Sequence, residues 1–317
     1  MFRNCLQKSR PFITHLQNLP HNLIPHAGQR LFAWNGIAFL TPANWELALT
    51  ELSQGINRIL LEDDYSPRLE LDWVEAHQQL SADKIHKNSQ KQVHELATAA
   101  SKVIPIADIP PEWTAHEYQM EEGRTLVVGY RIPESPEIPF PFFRLHFDRH
   151  SKEIPSVCFR QLAASFTSFA EGPTPWAFYD VGFSLPRELR LTGTSLQAGR
   201  KTLIFEWRLR RLFLWYISLA DIALRTKSLA EYTADFLNAT KLLPVPFWHP
   251  KGTEEIVHTR KKRYFLGQFE EIGRLCFHYQ ARAQLIQGKN QIAIQMAQFR
   301  KESDLDRLRL SPLTLVQ

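Results

Sequence analysis

The chain has 317 residues, 44% of them hydrophobic and 22% charged, a usage that excludes a disordered, collagen-like or coiled-coil protein and fits two ordinary domains or one large one. No run approaches the ~18–20 uncharged apolar residues of a membrane helix. Three scattered cysteines, Cys5, Cys158 and Cys276, with no C-x-x-C spacing, argue against a disulfide framework or a structural zinc site and imply a reducing, cytoplasmic setting.

The formal charge of +5 is unevenly spread: residues 1–36 carry four basic and no acidic side chains, residues 241–317 carry 13 basic and 7 acidic, and the middle carries 21 basic and 26 acidic. Residues 1–36 therefore read as a basic N-terminal arm, packing through Phe2, Leu6, Phe12, Ile13, Leu16, Leu19, Leu23 and Ile24. The arm lacks the apolar core of a secretory signal and the serine content of a transit peptide.

From residue 37 onward one spacing recurs. Pro42, Trp45 and Gly55, then Pro110, Trp113 and Gly123, then Pro186, Leu189 and Gly199 repeat the same intervals. The third set aligns with the first at an offset of 144, which places Phe39 on Phe183, Leu47 on Leu191, Leu69 on Phe213 and Leu71 on Trp215. The second follows at 68 and then gains the proline-rich segment 133–139 before its strand 143–147.

Each set predicts a β-meander. A leading strand stops at the proline, which cannot donate to a ladder; a second strand starts at the Trp or Leu, and the glycine supplies the turn. Two alternating strands follow, as in Leu69-Glu70-Leu71-Asp72-Trp73, with one face buried and one wet. Helices are predicted after the meanders over about 75–102, 155–170 and 228–238, the last opened by a Ser228/Glu231 capping box. A fourth, decayed meander is predicted from strands at 254–265, 275–285 and 291–299, with a turn at Gly288-Lys289-Asn290. The expected fold is α+β: a domain over 37–172 and a related one over 173–317, divided at Gly172-Pro173-Thr174-Pro175. Each is an antiparallel sheet of meanders with helices packed on it.

The segment Gly36-Ile37-Ala38-Phe39-Leu40-Thr41-Pro42-Ala43-Asn44-Trp45, with Gly55, Leu60, Glu62-Asp63 and Leu69-Glu70-Leu71, resembles the opening of PsbP-like proteins, the photosystem extrinsic subunits and their Ran-binding and bacterial relatives. The resemblance covers about 40 residues and is repeated around Leu189. It implies an antiparallel sheet with packed helices, and a binding or accessory role without catalysis. The matching positions are structural, so it transfers no functional residue.

Several groups are candidates for chemistry. His146, Asp148 and His150 would share one face of a strand, a geometry for two imidazoles and a carboxylate on a metal; the alternative is a solvated polar face opposite Leu145 and Phe147. Glu62-Asp63-Asp64 with Glu70 and Asp72 could suggest a two-carboxylate hydrolase or nuclease, but no lysine stands beside Glu70 or Asp72, and the three acids Glu62, Asp63 and Asp64 read as a solvated hairpin tip. Cys158 falls on the apolar side of a helix, where burial is the default. The strongest charge signal is basic: Arg208, Arg210 and Arg211 at one tip, and Arg260-Lys261-Lys262-Arg263 followed by Tyr264, an interleaving suited to phosphate attraction and base stacking. The tip carrying Arg208 is equivalent to the acidic tip at Asp64. The sequence thus predicts a non-enzymatic protein-interaction or accessory subunit that needs no cofactor and works through hairpin tips and a basic C-terminal third. A nucleic-acid-binding module and a metal-dependent enzyme at His146, Asp148 and His150 are the alternatives.

Overall fold

The computed structural model describes residues 19–53, 55–74, 79–131, 140–240, 256–261, 269–308 and 311–312. The strands, in chain order, are β1 (Gln29–Trp34), β2 (Ile37–Pro42), β3 (Glu46–Ser53), β4 (Ile56–Glu62), β5 (Pro67–Val74), β6 (Lys102–Pro105), β7 (Trp113–Gln119), β8 (Thr125–Arg131), β9 (Pro141–Phe147) and β10 (Thr167–Ser168). They continue as β11 (Thr174–Phe178), β12 (Val181–Leu185), β13 (Arg190–Gln197), β14 (Arg200–Trp207), β15 (Arg210–Ser218), β16 (Ile256–Lys261), β17 (His278–Ile286), β18 (Gln291–Phe299) and β19 (Ser311–Pro312). The α-helices are α1 (Gln79–Ala99), α2 (Pro155–Ser165), α3 (Ala220–Ala223), α4 (Leu229–Ala239) and α5 (Phe269–Arg274). All the sheets are antiparallel, and no described helix is long and apolar enough to cross a membrane. The chain divides into two compact units, Met1–Ser184 with Ser311–Gln317, and Leu185–Leu310.

In the first unit a seven-stranded sheet runs β3-β4-β5-β9-β8-β7-β6. Two meanders meet through their third strands, with Glu70 opposite Arg144. One face buries Leu69, Leu71, Phe143 and Leu145 at or near zero exposure. Against it stand Phe39 of β2 and Phe159 and Phe166 around α2, with ring centroids 5.7 to 6.4 Å from Phe143. On the other face Val93, Leu96 and Ala100 at the end of α1 cover Val74, Tyr118, Val128 and Phe142. A second, small sheet runs β10-β2-β1-β11-β12-β19. There Ala33 pairs with Ala177, its counterpart at the 144 offset. Buried Leu23 and partly buried Leu19 pack on this sheet, whereas Ile24 is 52% exposed. Its neighbour Leu23 takes the inward position of the short 3-10 turn His21–Leu23. Residues 29–34, expected as part of the arm, form β1. Phe2, Leu6, Phe12, Ile13 and Leu16 lie outside the described residues.

In the second unit the sheet runs β13-β14-β15-β18-β17-β16, the same order as β3-β4-β5-β9-β8-β7. The helix α4 starts on the capping box expected from Ser228 and Glu231 and lays Ala230, Ala234 and Leu237 on Phe213, Trp215 and Ile217. The strands predicted at 275–285 and 291–299 are β17 and β18, and Asn290 turns between them with a φ of 46°. The helices α3 and α5 have no counterpart among the helices expected from sequence, and the helix expected to reach Ala170 stops at Ser165, giving way to β10.

The recurring Pro-x-x-Trp/Leu is one turn made three times. The backbone N–H groups of Trp45, Trp113 and Leu189 donate to the carbonyls of Pro42, Pro110 and Pro186 at 3.2, 2.9 and 3.0 Å, and the three side chains are buried at 1–5% exposure. Gly55, Gly123 and Gly199 all sit at φ between 75° and 79°, the left-handed region that only glycine enters cheaply. A register shift recurs as well, between Leu47 and Leu49 in β3 and between Leu191 and Gly193 in β13.

The ungapped offset fails past the hairpin tips. Ile59 pairs with Leu71, but Leu203 pairs with Leu214, so Leu71 corresponds to Leu214 and not to Trp215, and Leu69 to Leu212. The tip between β4 and β5 carries an irregularity at Leu61/Glu62 that the tight turn between β14 and β15 lacks. Because side chains alternate along a strand, one residue moves every assignment to the opposite face.

Candidate interaction surface at the hairpin tips

The tip between β4 and β5 is built around one carboxylate. Asp63 Oδ1 accepts from the backbone N–H groups of Tyr65 and Ser66, both at 2.9 Å, and Oδ2 pairs with Arg68 at 2.6 Å. Arg68 also reaches Glu153, ahead of α2, at 3.6 Å. The paired side chains are only 4% and 8% exposed, so removing either would leave an uncompensated buried charge. Burial pushes the Asp63 carboxyl upward, but the Arg68 hydrogen bond and the Tyr65 and Ser66 N–H groups outweigh it and hold its pKa below the ordinary value. On this locked turn Tyr65 stands 90% exposed, flanked by exposed Glu62 and Asp64. Charge and repeat spacing do not single out Tyr65; the available signal is an aromatic among turn-forming residues in Asp-Asp-Tyr-Ser-Pro.

The corresponding tip of the second unit, between β14 and β15, is basic. Arg208 is exposed, holds a φ of 55°, and places its guanidinium 5.4 Å from the ring of Trp207. Arg210 and Arg307 lie over the same indole at 5.1 and 5.0 Å. Arg210 is buried and pairs with Asp304 at 3.1 Å, and Arg307 pairs with Glu188 at 2.9 Å. Burial raises the Asp304 carboxyl, and the Arg210 hydrogen bond with the N–H groups of Lys301 and Arg300 overrides it, so its pKa lies below the ordinary value. Arg211 faces Glu206 at 3.7 Å, and Arg274 meets the same oxygen at 2.9 Å. Of the three arginines proposed from sequence at this tip, Arg210 and Arg211 therefore hold carboxylates of their own unit, and Arg208 projects from the turn. Arg260 and Lys261 end the backbone of β16, opposite Tyr279 and His278. Lys262, Arg263 and Tyr264 lie outside the described residues.

His146, Asp148 and His150 do not converge as a strand would have them. β9 ends at Phe147. Asp148 and His150 fall in the following turn, where Asp148 Oδ1 accepts from the His150 backbone N–H at 2.7 Å and His150 Nε2 accepts from Arg149 at 3.0 Å. Among the described residues no group of three His, Cys, Asp or Glu side chains is placed to hold a metal. His146 instead joins a network on the first unit's sheet. Its Nε2 lies 3.0 Å from Glu70, Arg144 meets Glu70 at 2.9 Å and Asp72 at 3.0 Å, and Arg58 meets Asp72 at 2.6 Å. The His146 hydrogen bond, against burial and with help from Arg144, lowers the Glu70 pKa. Glu70 and Asp72 lie on β5, the strand expected there, but Asp72 is only 7% exposed. By register the second unit has Phe213 and Trp215 there, covered by α4. Burial pushes the Cys158 thiol up to about 11 and also raises that of Cys276, and a thiol held protonated is a poor nucleophile.

No protein-family model matches the sequence, and no curated protein is significantly similar to it.

Proposed function

We propose that the chain is a non-catalytic protein-interaction subunit, formed by tandem duplication of a PsbP-like domain, that docks through the hairpin tip at Tyr65. The observation that carries this reading is the contrast within one turn: Asp63 and Arg68 are buried to fix the backbone, while Tyr65 is left 90% exposed. A tyrosine on a fixed turn has only its own two side-chain torsions left to order on binding, and tyrosine is among the residues that dominate protein interfaces. The ion pairing of Arg210, Arg211, Glu70, Asp72, Arg144 and His146 within their own units supports reading these groups as holding the fold. The unpaired Cys158 and Cys276 suit the reducing, cytoplasmic setting that belongs to this proposal.

The test is a photo-crosslinking residue at position 65, expressed in the native host. One discrete, stoichiometric adduct is expected from position 65 and none from exposed Thr192 on β13. Absence of any adduct from position 65 would overturn the reading.

A further inference from the structure

The two equivalent tips differ in sign. The first presents Glu62, Asp64 and the Tyr65 ring; the second presents Arg208, with Leu209 37% exposed beside it. Asp63 is neutralised by Arg68 and Arg210 by Asp304, so the charges left projecting are Glu62 and Asp64 on one tip and Arg208 on the other. A guanidinium fits between two carboxylates, and a tyrosine face accepts it from the side while its ring rests on an apolar neighbour. The basic tip is as ordered as the acidic one: Arg208 lies over Trp207, and Arg210 anchors the turn to Asp304.

From this complementarity we infer that the chain associates head to tail with a second copy of itself, the Asp64–Tyr65 tip of one molecule receiving the Arg208–Leu209 tip of the next. The inference rests on the tips being docking elements and names what the first one meets. Such a contact is heterologous, the patch offered differing from the patch received, so its repetition closes into a ring or runs on as a filament. It is also small and electrostatic, and therefore weak and salt-sensitive.

Sedimentation velocity on the purified full chain tests it. At about 10 mM salt, where the screening length is about 30 Å, the weight-average mass should rise with concentration; at about 1 M, where it is about 3 Å, the protein should sediment as a monomer. Glu62→Arg/Asp64→Arg leaves two basic tips and Arg208→Glu two acidic ones, so each variant alone should remain monomeric at low salt. An equimolar mixture of the two again offers oppositely charged tips, in the native sense at one contact and the reversed sense at the other, and should associate at low salt as the wild type does; the combined swap Glu62→Arg/Asp64→Arg/Arg208→Glu should do the same on its own. Unchanged circular dichroism of each variant guards against misfolding. A wild type that stays monomeric at low salt, or a mixture that stays monomeric, overturns head-to-tail association. Position 65 crosslinking to a different protein would overturn it while leaving the interaction reading intact.

Discussion

Gly129 offers the sharpest test of how the first unit is packed. A Cβ added there would lie 2.1 Å from Phe159 Cζ and 2.2 Å from Cε2. To reach ordinary contact the ring would have to withdraw by the 1.3 Å separating 2.1 from 3.4 Å. It has nowhere to go. Phe159 is fully buried on α2, with Trp113 at 5.8 Å and Phe143 at 6.4 Å between ring centroids. Overpacking usually costs about 1–3 kcal/mol, and a rigid aromatic opponent puts Gly129→Ala near about 3 kcal/mol. Phe159→Ala alone should cost about 3–5 kcal/mol. Once the ring is gone the new methyl partly fills the space, so Gly129→Ala in that background should be neutral or stabilising by up to about 0.8 kcal/mol. The double-mutant cycle, read by urea denaturation with tryptophan fluorescence, then gives a coupling of about 3 kcal/mol. Additive effects, or a Gly129→Ala variant within about 0.5 kcal/mol of wild type, would refute the packing argument.

Two further substitutions probe the turns. Asp63→Asn removes the charge that Arg68 faces in near-complete burial and should cost about 3 kcal/mol at neutral pH. Because the folded carboxyl titrates below its ordinary value, its contribution is complete above about pH 4 and is lost as pH falls through the lowered value. The gap between wild type and Asp63→Asn should therefore close toward acid, and a gap that widens there would contradict the assignment. Gly199 has a φ of 79°, and a Cβ added there would meet nothing within 4 Å, so Gly199→Ala should cost about 1 kcal/mol through backbone strain alone. At Gly193 only the flexible Ile204 side chain comes within 3.3 Å, and thermal denaturation should rank Gly193→Ala as the milder change.

Much of the meander architecture was legible because its punctuation is covalent. A proline without an N–H and a glycine at positive φ mark the same turns in the sequence and in space, and Trp45, Trp113 and Leu189 follow Pro42, Pro110 and Pro186 into one hydrogen-bonded turn. What failed was register across a tip. Composition did not distinguish the longer turn at Asp63–Ser66 from the tight one at Arg208–Leu209, and the resulting slip exchanged Trp215 for Leu214. The site was harder to read. Arg208, Arg210 and Arg211 look alike as a run of charge, yet Asp304, which pairs with Arg210, lies far along the chain. The convergence expected of His146, Asp148 and His150 assumed a strand that ends at Phe147. Conversely, nothing local marked Glu70 and Asp72 as members of a half-buried ionic network, because their partners Arg144 and His146 arrive from the other meander.

The pairing of Ala33 with Ala177 puts one position of the period against its own counterpart. Positions one period apart are nevertheless encoded separately, and they differ: Asp64 and Arg208 at matching tips, Glu70 and Phe213 at matching strand positions. A substitution at one of them leaves its counterpart untouched, so each member of a matching pair can be altered and assayed alone.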